Sequence, residues 1–426
     1  MDIREKYKQY VNTAFMAAVE PVVVDRADGA SYYDEEGRVY IDCFSGISVA
    51  NTGHGNAVVV AAAKDQIDKL IHCCSYVYHV KPVAELAEKI AAITPGRLKK
   101  SFFGSSGAEA IEGAIRMARR YTGKNEALAL TQSFHGRTYA TLSLTGNAGR
   151  KKGGGPYMPG VAFAPSPYCY RCPLKLGNPE ECDMACAQQL EDVIRTQTSD
   201  NVAYFIAEPV LGEGGIIVPP DDYFQAVKQI LDRYEILFMA DEVQTGFGRT
   251  GRMFALEHYG VEPDIMVMAK GIANGFPLSC FIARDEIADA FQPGDHLSTF
   301  GGNPVSCAAS LANIEYIEKT GLAADTLKKG EMLKEMLQKI SPKKAAVGEI
   351  RGRGLMVGLE LVEDKDTKTP APAEAARIRA AMREEGVLIG LGGAFANVLR
   401  IQPPLIISEA EIEQVVDTLK EVMEGS

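Results

Sequence analysis

Two apolar runs in the middle of the chain end in residues that simple solvation does not explain. ILFMADEV (236–243) closes on Asp241 and Glu242, and IMVMAKG (265–271) closes on Lys270. An amine held at the end of an apolar strand loses hydration, its pKa falls, and the neutral form can make a Schiff base with a carbonyl. A lone lysine there would read as a surface residue; the small residues of AKGIANGFP and the carboxylate of Asp241 turn the reading toward chemistry. In SFFGSSGAEAIEGAIRMARR (101–120) an apolar lead-in and Gly-Ser-Ser-Gly precede a helical pattern with Glu109 in its first turn. The open N–H groups of that helix start, with the Ser106 hydroxyl, make an anion site suited to phosphate. Taken alone the same residues read as an ordinary N-cap serine. A literal G-x-G-x-x-G runs from Gly246 to Gly251. It starts well past the apolar strand and opens no clear helix, so it reads as a glycine-rich loop and not as a dinucleotide site.

A separate cluster lies in PYCYRCPLKLGNPEECDMACAQ (167–188), which carries Cys169, Cys172, Cys182 and Cys186. The C-x-x-C pair can aim two thiolates at one ion, and the later pair shares a face if that segment is helical. Four such ligands could hold structural zinc or an iron–sulfur centre remote from the main site. The plain alternative is four reduced thiols, or a redox-labile pair, in an insertion.

The elements that must position these residues are legible from periodicity. ALALTQSFHG (127–136), VAYFIAEPV (202–210), ILFMADEV, IMVMAKG and SCFIARDE (279–286) are strand-length and apolar on both faces. Helical patterns such as DDYFQAVKQILDRY (221–234) alternate with them, which predicts an α/β fold with a mostly parallel sheet between helix layers. Ligands of such sheets sit beyond the carboxyl ends of the strands. Phe134-His135-Gly136-Arg137, Glu208, Asp241-Glu242 and Lys270 all follow strands there, so they should converge on one crevice. From about residue 310 the pattern changes to long helices, then to GLMVGLELV (354–362), VLIGLGG (387–393), VLRIQPPLI and a closing helix, a smaller α+β domain.

Composition excludes several classes. With 426 residues, 46% of them hydrophobic, the chain can bury large cores. A net charge of −11 argues against nucleic acid and anionic membranes. The start MDIREKYKQY carries charges where a signal peptide would need an apolar stretch, and no apolar run approaches membrane-spanning length. Nine cysteines fit reduced cytosolic thiols, so a soluble, cytoplasmic protein is expected.

The ordered motifs SSGAEA (105–110), SFHGRT (133–138), AEPVLGEGG (207–215), ADEVQTGFGRTG (240–251), AKGIANGFPL (269–278), STFGGNP (298–304) and VLRIQPPL (398–405) resemble those of class-III aminotransferases. The likeness runs nearly end to end, from FSGISVANTGH (44–54) to the last helix. It implies pyridoxal 5′-phosphate (PLP) as cofactor and PLP fold type I. On that fold residues 51–310 form the large domain, 311–426 the small C-terminal domain, and 1–50 belong with the small one. It also implies roles. Lys270 would carry the cofactor and shuttle a proton, and Asp241 would keep the pyridine nitrogen protonated. Phe134 and Val243 would cover the two ring faces, and Gln244 would reach the phenolic oxygen. Ser106, Gly107 and Ala108 would cradle the phosphate, with His135 and Glu208 completing the cofactor set. Thr299 would reach the phosphate of a neighbouring subunit, making a homodimer (or a tetramer built from it) with sites at the subunit interface. The family often has asparagine at the position of Ser105 and a hydroxyl residue at that of Ala108; the second difference removes one side-chain donor to phosphate and leaves the backbone N–H.

The resemblance also addresses substrate. Arg400 matches an arginine that grips an α-carboxylate, and Glu213 matches the gate that pairs with it when the donor has none. Arg137 and Ile47 match residues at the distal carboxylate of 4-aminobutyrate aminotransferases. The expected reaction is transfer from a 4-aminobutyrate-like ω-amino donor to a 2-oxo acid such as 2-oxoglutarate by a ping-pong mechanism. Alternatives are an alanine–glyoxylate or other pyruvate-linked aminotransferase, or a racemase or epimerase on the same scaffold.

Overall fold

A computed structural model describes residues 2–13, 19–176, 182–340 and 346–425. Its described strands form two sheets. The first runs in the order Lys100–Gly104, Ser279–Ala283, Ile265–Met268, Leu237–Asp241, Val202–Ala207, Glu126–Leu130, Val161–Ala164. Ser279–Ala283 is antiparallel to both neighbours, and the other pairings are parallel. All five expected strands are present, each trimmed at its polar end.

Alternation explains why these strands are apolar throughout. Ala127, Tyr204, Ile206, Leu237 and Met239 pack on one face with Ala110, Ile111, Ala114 and Ala118 of helix Gly107–Thr122. Leu128, Phe205, Phe238 and Ala240 pack on the other, against Leu190 and Ile194 of helix Ala185–Gln197 and Phe224, Val227 and Leu231 of Tyr223–Arg233. Period-2 side chains thus meet a helix layer on each side, and each large buried apolar side chain contributes roughly 2 kcal/mol.

The second sheet joins Val24–Asp28, Ser31–Asp34 and Val39–Cys43 to Val387–Gly392, Val398–Ile401, Met356–Asp364 and Ala346–Arg353, in that order. Val39–Cys43 runs parallel to Val387–Gly392, so the first strands of the chain and its last ones share one layer. The change of texture near residue 310 falls inside a continuous helix, Pro304–Thr320, capped by Asn303 and ended by Gly321 at φ 64°. The Gly246–Gly251 loop is a connector, as expected. Arg249 within it is fully buried and donates to the carbonyl of Leu355 (3.0 Å) and to Asn51 Oδ1 (2.8 Å), tying the first sheet to the second. Among the described residues no helix is long and apolar enough to cross a membrane.

Candidate active site

Register brings the chemistry together. Ala207 pairs with Ala240, so the residues that follow, Glu208 and Asp241, leave the sheet side by side. Asp241 lies opposite Val267, and Lys270 follows two residues beyond the end of that strand. Lys270 begins a short 3₁₀ turn with φ 46°, a left-handed conformation that costs a non-glycine residue about 1 kcal/mol and marks a constrained position. These side chains open into one cavity of about 500 Å³, a size suited to a small cofactor with its substrate.

Four groups of residues line it. Ser106, Gly107 and Ala108 form its anion end. Ser106 caps helix Gly107–Thr122 by accepting from Glu109 N–H at 3.2 Å, and the first-turn N–H groups have no intrahelical acceptor. Ser105 N–H donates to Glu109 Oε2 (2.6 Å), while Glu109 Oε1 accepts from Ser298 Oγ (2.5 Å). One carboxylate therefore ties this loop to the segment that holds Thr299. A Cβ at Gly107 would stand 3.0 Å from Val243 Cγ1, tight enough to press on that side chain.

The floor is polar. Asp241 is buried; Oδ2 meets His135 Nδ1 at 2.7 Å and Oδ1 accepts from Val243 N–H at 3.1 Å. His135 thus reaches the cavity and braces the carboxylate. Glu208 accepts from Phe134 N–H and from Gly212 N–H, both at 2.9 Å, and so fixes the backbone that carries the Phe134 ring. Burial, with the Asp241 charge adding to it, pushes the Glu208 carboxyl up to about 7. Lys270 makes no hydrogen bond or ion pair with the described residues. Burial and then the nearby Arg400 charge hold its amine below the usual lysine range, favouring the neutral nucleophile. Phe134, Val243 and Gln244 line the walls.

At the mouth stand Ile47, Arg137 and Glu213. Ile47 has φ 71°, an outlier for a β-branched residue, in a tight turn after Gly46. Arg137 is exposed and lies over the Phe134 ring, 5.3 Å from its centroid. Glu213 Oε2 pairs with Arg400 Nη1 at 2.9 Å. Arg400 itself, only 1% exposed, lies behind Glu213 and not on the cavity wall. Burial alone would push the Glu213 carboxyl up; Arg400 and Arg150 outweigh it and hold the group below its ordinary range.

Two expected residues stand apart. Glu242 does not join the crevice: it is fully buried and turned away, held by Thr245 Oγ1 and by Leu256 N–H at 2.7 Å. Successive residues at a strand end point to opposite sides, so Asp241 and Glu242 cannot share one cavity. Thr299 is exposed and does not line this chain's cavity. Sequence reasoning missed Arg150, an ion-pair partner of Glu213, because GRKKGGG reads as a solvated basic loop.

Cys169, Cys172, Cys182 and Cys186 line a separate small cavity with Tyr168 and Met184. All nine cysteines are unpaired, and among the described residues no three His, Cys, Asp or Glu side chains are placed to hold a metal ion. Burial pushes the Cys186 thiol up to about 12 and raises Cys169, which favours the neutral thiol at these two positions.

The family model described as aminotransferase class-III matches residues 14–423. The chain is 39% identical to the leucine/methionine racemase of Thermococcus litoralis, covering 98% of this chain and 94% of that one. It is 37% identical to the 4-aminobutyrate aminotransferase of Escherichia coli strain K12, covering 95% and 93%. Among solved structures, an aminotransferase of Bacillus anthracis superposes with a TM-score of 0.92 at 35% identity, covering 99% and 98%.

Proposed function

The chain belongs to the class-III aminotransferases, PLP enzymes of fold type I, and from that premise we propose an ω-amino acid aminotransferase. A 4-aminobutyrate-like donor gives up its amino group, and a 2-oxo acid such as 2-oxoglutarate collects it in a second, ping-pong half-reaction. The observation that carries this reading is Glu213 seated on Arg400 at the mouth of the cavity. That pair neutralises the α-carboxylate site when the donor has no α-carboxylate, and a buried unpaired guanidinium would be costly. Arg137 at the same mouth suits the donor's distal carboxylate, and Ile47 lines the pocket beside it. The Escherichia coli relative, named for 4-aminobutyrate, supports the same class.

The residues present fit PLP. The open helix start at Ser106, Gly107 and Ala108 suits its phosphate, Asp241 its pyridinium, and Phe134 and Val243 its ring faces, with Gln244 beside the phenolic oxygen. When bound, the cofactor supplies an electron sink for the carbon that bears the amine. His135 holds the Asp241 carboxylate in place, and Glu208 fixes Phe134 through its backbone. Lys270 anchors the cofactor, and its Nζ takes the proton from the amine-bearing carbon; burial keeps that amine able to accept it. Thr299 would serve the phosphate of a partner subunit in a homodimer. Residues 1–50 and 311–426 would form the small domain against 51–310. Nine unpaired cysteines favour a cytoplasmic setting.

A panel of donors and acceptors on the PLP-loaded protein tests the reading. Glutamate should form from 2-oxoglutarate with 4-aminobutyrate or a near ω-amino homologue. Failure of every ω-amino donor, with transfer from alanine, would move the assignment to a pyruvate-linked enzyme. The Thermococcus litoralis relative favours one second reading, amino-acid racemisation. Loss of optical activity in leucine or methionine without amino transfer would select it.

A further inference from the structure

Glu213 does not rest on Arg400 alone. While Oε2 holds Arg400 Nη1, Oε1 holds Arg150 Nη2, so one carboxylate bridges two guanidinia. Both arms are fixed from behind. Arg400 lies on the strand Val398–Ile401 between Gly358 and Gly390, its cross-strand neighbours. Arg150 sits in a turn whose backbone is pinned to the end of the Glu126–Leu130 strand, through Asn147 N–H to Ser133 O (3.2 Å) and Gly146 N–H to Ser133 Oγ (3.1 Å). The Glu213 backbone is fixed too: its carbonyl accepts from Gly393 N–H at 3.3 Å, and the next carbonyls, of Gly215 and Ile216, accept from Arg351. With the backbone held on all sides, any movement at this bridge is left to side chains. It is 15% exposed and Arg150 28%, so the pair lies at the rim, where solvent screens it in part.

This deepens the gate reading and rests on it. We propose that Arg150 is the seat Glu213 keeps when an α-carboxylate takes Arg400, so that Arg150 determines how well the enzyme accepts its α-amino acid partner. With an ω-amino donor, one carboxylate serves two guanidinia. With glutamate bound, its α-carboxylate takes Arg400 while Glu213 keeps Arg150. Arg400 Nη2 has no hydrogen-bond partner among the described residues, leaving a donor for the incoming carboxylate. Without Arg150, Glu213 would leave Arg400 for no partner of equal charge. The larger cost would fall on the α-amino acid half-reaction.

Single-turnover absorbance changes of the PLP-loaded enzyme read the two halves separately. Arg150→Met should weaken apparent glutamate binding by about tenfold, with a much smaller change for 4-aminobutyrate, and Arg150→Lys should restore most of the loss. Equal losses in both halves would reduce Arg150 to a structural residue and overturn the proposal, as would a larger loss with 4-aminobutyrate. Arg150→Gln serves if the Met variant misfolds. Glu213→Ala is the control on the underlying reading, because it should harm the 4-aminobutyrate half more. If Glu213→Ala splits the halves and the Arg150 variants do not, the Arg150 seat fails alone. If no variant splits them, the gate itself fails.

Discussion

Asp241 and Glu242 are adjacent, buried and both acidic, yet the strand end sends one into the cavity and the other into the core. Substituting each tests different physics. Asp241→Asn keeps the shape and removes the charge that the pyridinium needs, so turnover should fall by more than about tenfold while PLP still binds. Glu242→Gln should leave turnover nearly intact and change stability with pH. Burial raises the folded Glu242 carboxyl from 4.5 to about 7. Between those values the unfolded chain has lost this proton and the folded chain still holds it, so the Glu242 contribution to stability is full below the lower value and lost as pH rises through the upper one. Glutamine cannot ionise, so the Tm of the variant relative to the unsubstituted protein should climb between about pH 4.5 and about pH 7 and level off above that. A flat difference would show that Glu242 titrates normally. At this scale the sequence was informative wherever a polar residue closed an apolar run, as Asp241, Glu208 and Lys270 do. It was silent on Arg150, whose meaning comes from a partner 63 residues away.

Elements convert those residues into a site by how closely they pack. Gln244 is buried on the cavity wall beside Gly212, where a Cβ would fall 1.5 Å from Gln244 Oε1. Gly212 also gives its N–H to Glu208, so this turn and the strand ends Ala207 and Asp241 form one packed unit. Gly212→Ala must displace Gln244 or shift the turn. It should weaken PLP binding by about tenfold, read by absorbance titration, with a Tm loss of a few degrees. Unchanged affinity would mean that Gln244 does not contact the cofactor. The central strands were legible because helices cover both their faces, which demands apolar residues at every position. Ala346–Arg353 was not legible. It carries Glu349 and Arg351 within a buried ion cluster on Glu360, so its polarity imitates a loop. Val24–Asp28 was hidden for the opposite reason, as an exposed edge strand with charged residues.

At the scale of the whole molecule, the segment holding Thr299 is where the proposed homodimer can be tested. Leu297 and Phe300 flank Thr299 at 61% and 66% exposure, and Ile71, Val77 and Tyr78 are also bare. The two segments are stapled together, Ser75 Oγ to Gly301 O at 2.8 Å and Asn303 Nδ2 to Ile71 O at 3.0 Å, so this apolar surface is built and not frayed. Exposed apolar side chains of this kind suit the proposed subunit interface, in which a two-fold axis would carry Thr299 toward the other subunit's phosphate end. Mixing two dead variants tests this directly. Lys270→Ala lacks the anchoring amine, and Thr299→Asp sets a negative charge against the phosphate. Each homodimer should be nearly inactive. In a heterodimer one site takes Lys270 from the Thr299→Asp chain and Thr299 from the Lys270→Ala chain, and is therefore intact, while the other site carries both lesions. Random exchange of equal amounts makes half the molecules heterodimers with one good site in two, so about a quarter of normal activity should return after subunit exchange. Recovery of that size cannot arise if Thr299 serves its own chain, because every site would then keep one lesion. No recovery, with exchange verified by mass-tagged subunits, would place Thr299 outside the partner's site.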